Sequence, residues 1–268
     1  MNIRYSIGLL LVLGSLGLSN LGLAYETGQV VNPGILSGSV AFQGNVLAPR
    51  SFTVQKNPEI CGETRSLTKV SVKNGMLQGA VIALEGITKG KAFEEKHFRA
   101  NRPGLGAFHY RAGKKLDLEV HTKHCNFGPF TGVVARDESI QFTNHDSIKH
   151  TLHTYVLRGK KATILKTVHN RGIPASGTIK EIFTKKKLKK PGVVAITCDR
   201  HDFMENWLYV ADSPYFAISD DSGRFNIDEI PPGTYNMIVW HPVLGTQEQH
   251  VTITPQKTVN VDFEFVKK

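Results

Sequence analysis

Cys198, His201 and Met204 place three metal-binding side chains at a C-x-x-H-x-x-M spacing. A thiolate and a thioether select copper over harder ions. Two imidazoles and one thiolate in a plane, with a weak axial methionine, describe an electron-transfer copper centre. The motif supplies one of the two imidazoles, so a second histidine must come from elsewhere in the chain. The segment from Asn144 to His153 offers it.

The residues on each side of the motif predict the elements that hold it. Residues 192–197 form an apolar run that predicts a buried strand, and residues 207–210 predict the strand that returns. A strand, a tight loop and a second strand would place Cys198, His201 and Met204 around one point.

This layout resembles the cupredoxin, or blue-copper, family over about residues 116–211. In that family an asparagine six residues before the first histidine ligand braces the loops, and Asn144 and His150 have this spacing. The resemblance implies a Greek-key β-sandwich in which the ring edge of His201 faces a redox partner. Its loop spacing is most similar to that of amicyanin, which suggests methylamine utilisation. The resemblance implies four copper ligands, with Asn144 behind them: His150, Cys198, His201 and Met204.

Simpler explanations of these residues remain open. A lone buried cysteine such as Cys198 is usually a small hydrophobe. A C-x-x-H pair could be half of a zinc site, although zinc sites rarely use methionine. A C-x-x-C-H haem attachment is absent, since residue 195 is alanine. His153 is a rival to His150, but three residues apart on a strand the two side chains point to opposite faces.

The N-terminus has the pattern of a secretory signal peptide. A positive start at Arg4, an apolar run over residues 7–18 and small residues up to Ala24 predict that residues 1–24 are removed. The apolar run is short for a membrane span, so an uncleaved anchor is the weaker alternative. We therefore expect a periplasmic protein with no membrane span after cleavage.

The other two cysteines fit an exported protein. With Cys198 reserved for metal, an oxidising compartment would pair Cys61 with Cys125, the alternative being two buried thiols. The H-x-x-H-C run from His121 through His124 to Cys125 could form a second metal site, although such histidines are more often solvated strand residues.

The chain is basic, with a formal net charge of +10. Its densest cationic run is residues 185–190. This run is expected to be either a solvated loop or a surface that docks a partner. A basic surface favours a redox partner with an acidic surface, or an anionic envelope surface. Nucleic acid is not expected as a partner, because an exported β-rich chain without aromatic platforms lacks the features for it.

The C-terminal residues carry a signature of their own. Residues 220–225 have a D-x-x-G-x-F pattern and residues 231–235 read P-P-G-T-Y, within strands that alternate at period two. This resembles the carboxypeptidase regulatory-like, or transthyretin-like, β-sandwich. Further upstream, Asn74-Gly75 predicts a two-residue hairpin turn between strands at 69–73 and 76–84.

These patterns predict an all-β fold with two sandwiches, the second of which is either continuous or built from two separate parts of the chain. We expect a cupredoxin domain at 115–211 and a regulatory-like sandwich at 212–268. The β segment at 36–114 either completes the second sandwich or extends the first.

The predicted function is one-electron transfer by a mononuclear type 1 copper site. The alternatives are a copper carrier or storage protein without redox cycling, and a scaffold. An enzyme is not expected, because a second copper would need further histidine clusters and no H-x-H pair accompanies Cys198.

Overall fold

The computed structural model describes residues 25–93 and 118–267, except residues 129, 138, 159–162, 185 and 190. The predicted signal peptide and the predicted boundary at 114/115 lie outside these residues. The one helix among the described residues, α1, spans Pro58–Cys61. No helix in this part of the chain is long and apolar enough to cross a membrane.

The strands up to residue 93 are β1 (Glu26–Thr27), β2 (Gly34–Gly44), β3 (Arg50–Thr53), β4 (Thr64–Leu67), β5 (Ser71–Lys73), β6 (Met76–Gln78), β7 (Val81–Glu85) and β8 (Lys89–Gly90). The strands that follow residue 117 are β9 (Leu118–Thr122), β10 (Phe127–Gly128), β11 (Thr131–Ala135), β12 (Ser139–Asn144), β13 (His150–Arg158), β14 (Thr163–Ile173), β15 (Thr178–Ile182), β16 (Gly192–Cys198) and β17 (His201–Ala211). The strands near the C-terminus are β18 (Phe216–Ile218), β19 (Arg224–Ile230), β20 (Gly233–His241), β21 (Gly245–Ile253), β22 (Thr258–Asn260) and β23 (Phe263–Lys267).

The first sandwich consists of β9 to β17. One sheet has the order β10-β9-β12-β15 and the other the order β11-β17-β16-β13-β14. Period-two alternation turns one face of each strand inward, and Phe142, Leu152, Ile196 and Leu208 are all 0% exposed in the core between the sheets. The prediction of an all-β chain with two sandwiches is confirmed.

The second sandwich combines strands from both sides of the first. One of its sheets has the order β18-β7-β20-β21, and the other the order β19-β2-β6-β5 with β22 and β23 on β2. The first sandwich is therefore inserted in the chain between β7 and β18. Strand β7 lies between β18 and β20, which fits the continuous apolar run of residues 81–84, because such a strand is buried on both faces.

One strand prediction is wrong. The sequence predicted a single strand over 76–84, whereas β6 and β7 lie in different sheets of the second sandwich. Gly79 between them adopts φ +76°, a left-handed conformation that interrupts a strand. The hydroxyl of Thr131 in the first sandwich donates to the carbonyl of Gly79 at 2.8 Å. The chain therefore crosses between sheets at the point where it touches the first sandwich.

Backbone angles and side-chain hydrogen bonds explain the three turns that the sequence motifs predicted. Asn74 and Gly75 adopt φ of 52° and 76° between β5 and β6, as a two-residue primed turn requires. In the D-x-x-G-x-F motif the carboxylate of Asp220 accepts the backbone N–H groups of residues 222 and 224 at 2.7 and 2.9 Å. In the P-P-G-x-Y motif the hydroxyl of Tyr235 donates to the carbonyl of Pro231 at 2.9 Å. Each of these last two motifs thus shapes a turn at which the chain passes from one sheet of the second sandwich to the other.

A buried histidine makes the second sandwich sensitive to acid. His241 ends β20 with 2% of its surface exposed. Its Nδ1 accepts the backbone N–H of Val243 at 3.2 Å, so this nitrogen carries no proton. Burial lowers the pKa of His241 from 6.5 to about 4. Below pH 6.5 the His241 side chain binds a proton in the unfolded chain, whereas in the folded chain it stays neutral until about pH 4. The free energy of unfolding therefore decreases as the pH falls through this range.

We predict that His241 lowers the free energy of unfolding by about 2 kcal/mol between pH 7 and pH 5. Urea unfolding of His241→Gln should show a pH dependence weaker by that amount. His250→Gln, which changes an exposed histidine of β21, should keep the wild-type pH dependence. An unchanged pH dependence in His241→Gln would contradict the assignment.

Candidate metal centre

Three side chains from neighbouring strands converge at one end of the first sandwich. Cys198 ends β16, His201 begins β17 and His150 begins β13. Sγ of Cys198 lies 3.9 Å from Nδ1 of His150 and 3.8 Å from Nδ1 of His201. The exposed fractions are 0% for His150, 4% for Cys198 and 2% for His201. These three potential ligand atoms thus form a buried cluster, each within 4.8 Å of the others.

Met204 lies on β17 itself and not in the loop. The sequence predicted that the returning strand begins at residue 207, but it begins at His201, because Cys198 pairs with His201 across a two-residue turn. The pairing register shifts between Thr197 and Cys198, and irregularities of this kind re-aim a side chain. Met204 is 1% exposed and belongs to the same core cluster as Cys198.

Asn144 joins the loops beneath the site. Its Nδ2 donates to the carbonyls of Ile148 and Pro174 at 2.7 and 2.8 Å. Its Oδ1 accepts the hydroxyl of Thr122 at 2.9 Å and the backbone N–H of Asp146 at 3.0 Å. All four hydrogen bonds are made by a side chain that is 1% exposed, so Asn144 fixes the backbone that leads to His150.

Asp146 is a residue that sequence reasoning missed. Its Oδ2 lies 2.9 Å from Nε2 of His150, and Asp146 is 5% exposed. Since His150 engages this carboxylate through Nε2, its Nδ1 is left to face Cys198. Ligating histidines commonly donate their other ring N–H to a carboxylate. A carboxylate four residues before the candidate ligand was the signal that could have identified Asp146.

His153 does not reach the cluster. Its Nδ1 lies 2.8 Å from Oδ1 of Asp199, and its ring stacks on Tyr155 with centroids 4.1 Å apart. Its Nε2 lies 3.0 Å from the hydroxyl of Thr167 on the neighbouring strand. The structure therefore brings His150, and not His153, next to Cys198.

Electrostatics at the cluster favour an ionised Cys198. Burial raises the pKa of this thiol, but hydrogen bonds from His150 and from two backbone N–H groups outweigh burial and lower the pKa. Burial lowers the pKa of His150, but its bonds to Asp146 and Cys198 outweigh this and raise it. Burial, with the charge of His150, lowers the pKa of His201. Metal ligands must lose their protons, and a thiol of lowered pKa suits that requirement.

Residues 50–67, named here the cover segment, lie over the outer edge of His201. The segment contains β3, α1 and β4, and β3 and β4 form a two-stranded sheet of their own. Its Val54 and Cys61 are part of the core of the first sandwich. Sγ of Cys61 lies 3.6 Å from Nε2 of His201. The resemblance implied that this ring edge faces a partner, whereas here an N-terminal segment lies against it.

The predicted disulfide between Cys61 and Cys125 is confirmed, with Cα atoms 5.2 Å apart. It ties the cover segment to the turn after β9. Within that turn the backbone N–H groups of His124 and Cys125 donate to Asp146 at 2.6 and 2.8 Å. Asp146 therefore connects the disulfide on one side with His150 on the other.

The C-terminal residues match a known family. Residues 209–266 match the model of the carboxypeptidase regulatory-like domain. This match begins near the end of β17 and includes β18 to β22 and most of β23. No curated protein matches the chain.

The chain is also similar to solved copper proteins, at low levels. A Cu-containing nitrite reductase (NirK) from Thermus scotoductus SA-01 has 17% identity and a TM-score of 0.28, over 38% of this chain and 24% of that one. A purple cupredoxin from Nitrosopumilus maritimus has 14% identity and a TM-score of 0.28, over 35% of this chain and 100% of that one. A reduced Cu(I) form of an amicyanin mutant has 15% identity and a TM-score of 0.28, over 48% of this chain and 98% of that one. The chain spans about a quarter of the nitrite reductase. Likenesses at this level define neither a function nor a substrate for this chain.

Removing the disulfide should destabilise the first sandwich and loosen the cover segment. We predict that Cys61→Ala/Cys125→Ala lowers the free energy of unfolding by about 2–5 kcal/mol, since the cross-link restricts the unfolded chain. Urea unfolding of the variant beside the oxidised and the dithiothreitol-treated wild type measures this, and the treated wild type should match the variant. Two free thiols in non-reduced peptides of the oxidised wild type would contradict the pairing.

Proposed function

We propose that the protein is an exported mononuclear type 1 copper protein that transfers single electrons between redox partners. One observation carries the proposal, namely the convergence of a thiol of lowered pKa with two imidazole Nδ1 atoms in a buried cluster. One thiolate and two imidazoles are the equatorial set of blue-copper sites. Met204 is buried in the same cluster and supplies a thioether.

In this proposal each ligand has a defined role. His150 and His201 would hold the ion through Nδ1 and Cys198 through Sγ, and Met204 would supply a weak fourth ligand. Copper would supply one-electron redox chemistry. Asp146 holds the ring of His150 in place through its carboxylate. Asn144 holds the backbone at Asp146, in the loop that leads to His150. The mixed ligand set serves both oxidation states, because imidazoles suit Cu(II) and sulfur suits Cu(I).

The rigidity of the site favours an electron carrier over a copper carrier. A protein that delivers copper needs exposed ligands that its partner can replace one at a time. Here His150, Cys198, His201 and Met204 are each at most 4% exposed, and the cover segment closes the edge of His201. The chain has only four methionines, so it lacks the methionine-rich clusters that copper delivery commonly uses.

We further propose that the protein works in the periplasm and docks a redox partner with an acidic surface. The net charge of +10 supports this choice of partner. Near the covered edge of His201, the positive charges of the exposed Arg200 and Lys56 lower the pKa of His201. The guanidinium of Arg65 lies over the ring of Phe203, 6.0 Å from its centroid. In this view the protein carries electrons and catalyses no reaction of its own. We do not extend it to amine oxidation, because only the loop spacing suggests that pathway.

The ligand set is tested by visible absorption of copper-loaded variants. Cys198→Ser should abolish the intense thiolate-to-copper band, because serine offers no thiolate. His150→Ala should lose or alter the band, whereas His153→Ala should keep it, since His153 points to Asp199. Circular dichroism checks that each variant is folded.

A persistent band in Cys198→Ser would rule out Cys198 as a ligand. If His153→Ala lost the band and His150→Ala kept it, the second imidazole ligand would be His153 and not His150.

Electron transfer is separated from copper delivery by voltammetry. We predict a reversible one-electron wave, with copper retained through repeated cycles in the presence of a modest Cu(I) chelator, because the ligands are buried and held on strands. In Cys61→Ala/Cys125→Ala the chelator should remove copper faster, since the cover segment is no longer tied down. Loss of copper from the wild type on reduction would favour the copper carrier.

A further inference from the structure

Two histidines outside the buried cluster form a pair on the surface. His121 lies on β9, and His145 directly follows β12. Strands β9 and β12 are parallel, with His121 opposite Thr143, and the backbone N–H of His145 donates to the carbonyl of Thr122 at 2.8 Å. Side chains two residues apart on a strand point to the same face, so His145 projects beside His121.

The ring nitrogens of the pair are in direct contact. Nδ1 of His121 lies 2.9 Å from Nε2 of His145, and the rings are stacked at 22° with centroids 5.1 Å apart. At this distance one ring donates an N–H to the nitrogen of the other, and a cation that displaced this proton would meet both ring nitrogens. The arrangement is thus suited to a shared cation.

We propose that His121 and His145 form a second, exposed metal site for a divalent first-row cation, with Cu²⁺ as the preferred ion. With metal–nitrogen bonds of about 2.0–2.1 Å, nitrogens 2.9 Å apart subtend about 90° at the ion. That angle suits neighbouring positions of a square-planar or octahedral ion better than the tetrahedral angle that Zn²⁺ adopts, and Cu²⁺ binds most strongly in the divalent series.

The backbone that carries the pair is held in advance. Asn144 and Asp146, on either side of His145, are buried and hydrogen-bonded to each other at 3.0 Å. His145 is exposed and His121 is half-buried, so water can complete the coordination of an ion. The H-x-x-H-C run noted in the sequence is not the site proposed here, since Cys125 is in the disulfide and His121 pairs with His145 instead of His124.

Isothermal titration of the untagged protein with CuCl₂ tests this site. The wild type should bind two equivalents, whereas His121→Ala and His145→Ala should each bind one. His250→Ala, which removes an exposed histidine of β21, should still bind two. Electron paramagnetic resonance should assign the second equivalent to a copper with nitrogen ligands and no thiolate.

The outcome is independent of the buried cluster. Cys198→Ser should lose the first equivalent and keep the second, so that failure at one site is distinguished from failure at the other. If His121→Ala and His145→Ala bind as many equivalents as the wild type, or if the wild type has no second equivalent, the proposal is overturned. The pair would then be a histidine–histidine hydrogen bond only.

Discussion

Strand β16 is the element on which the candidate centre depends, because it pairs with β13 on one side and with β17 on the other. These backbone hydrogen bonds fix where each strand begins and ends. Cys198 at the end of β16 therefore meets His150 at the start of β13 and His201 at the start of β17. A register slip of one residue would turn alternate side chains to the opposite face. The sheet thus sets the arrangement of the three side chains.

The second sandwich contributes to the centre through the cover segment. That segment connects β2 with β5, so both of its ends are anchored in the second sandwich, while its Cys61 is bonded to Cys125 of the first. A buried cluster that includes Val81, Val133 and Trp240 packs the two sandwiches against each other. The covering of His201 therefore depends on both sandwiches and on the disulfide together.

The local features of the chain could be predicted from sequence, and the non-local ones could not. The spacing of Cys198 and His201, the Asn74-Gly75 turn and the period-two strands are encoded by residues close to one another. The cover segment could not be predicted, because Cys61 and His201 are 140 positions apart and no periodicity links them. The break at Gly79 was missed because glycine in an apolar run does not by itself indicate that the chain changes sheets.

The proposed function depends on a copper ion that binds to one thiolate and two imidazoles at this buried cluster. X-ray absorption at the copper edge, on protein loaded with one equivalent of copper, tests it most directly. We predict one short copper–sulfur bond and two imidazole ligands in both oxidation states. A spectrum fitted by nitrogen and oxygen ligands alone, with no copper–sulfur bond, would contradict it.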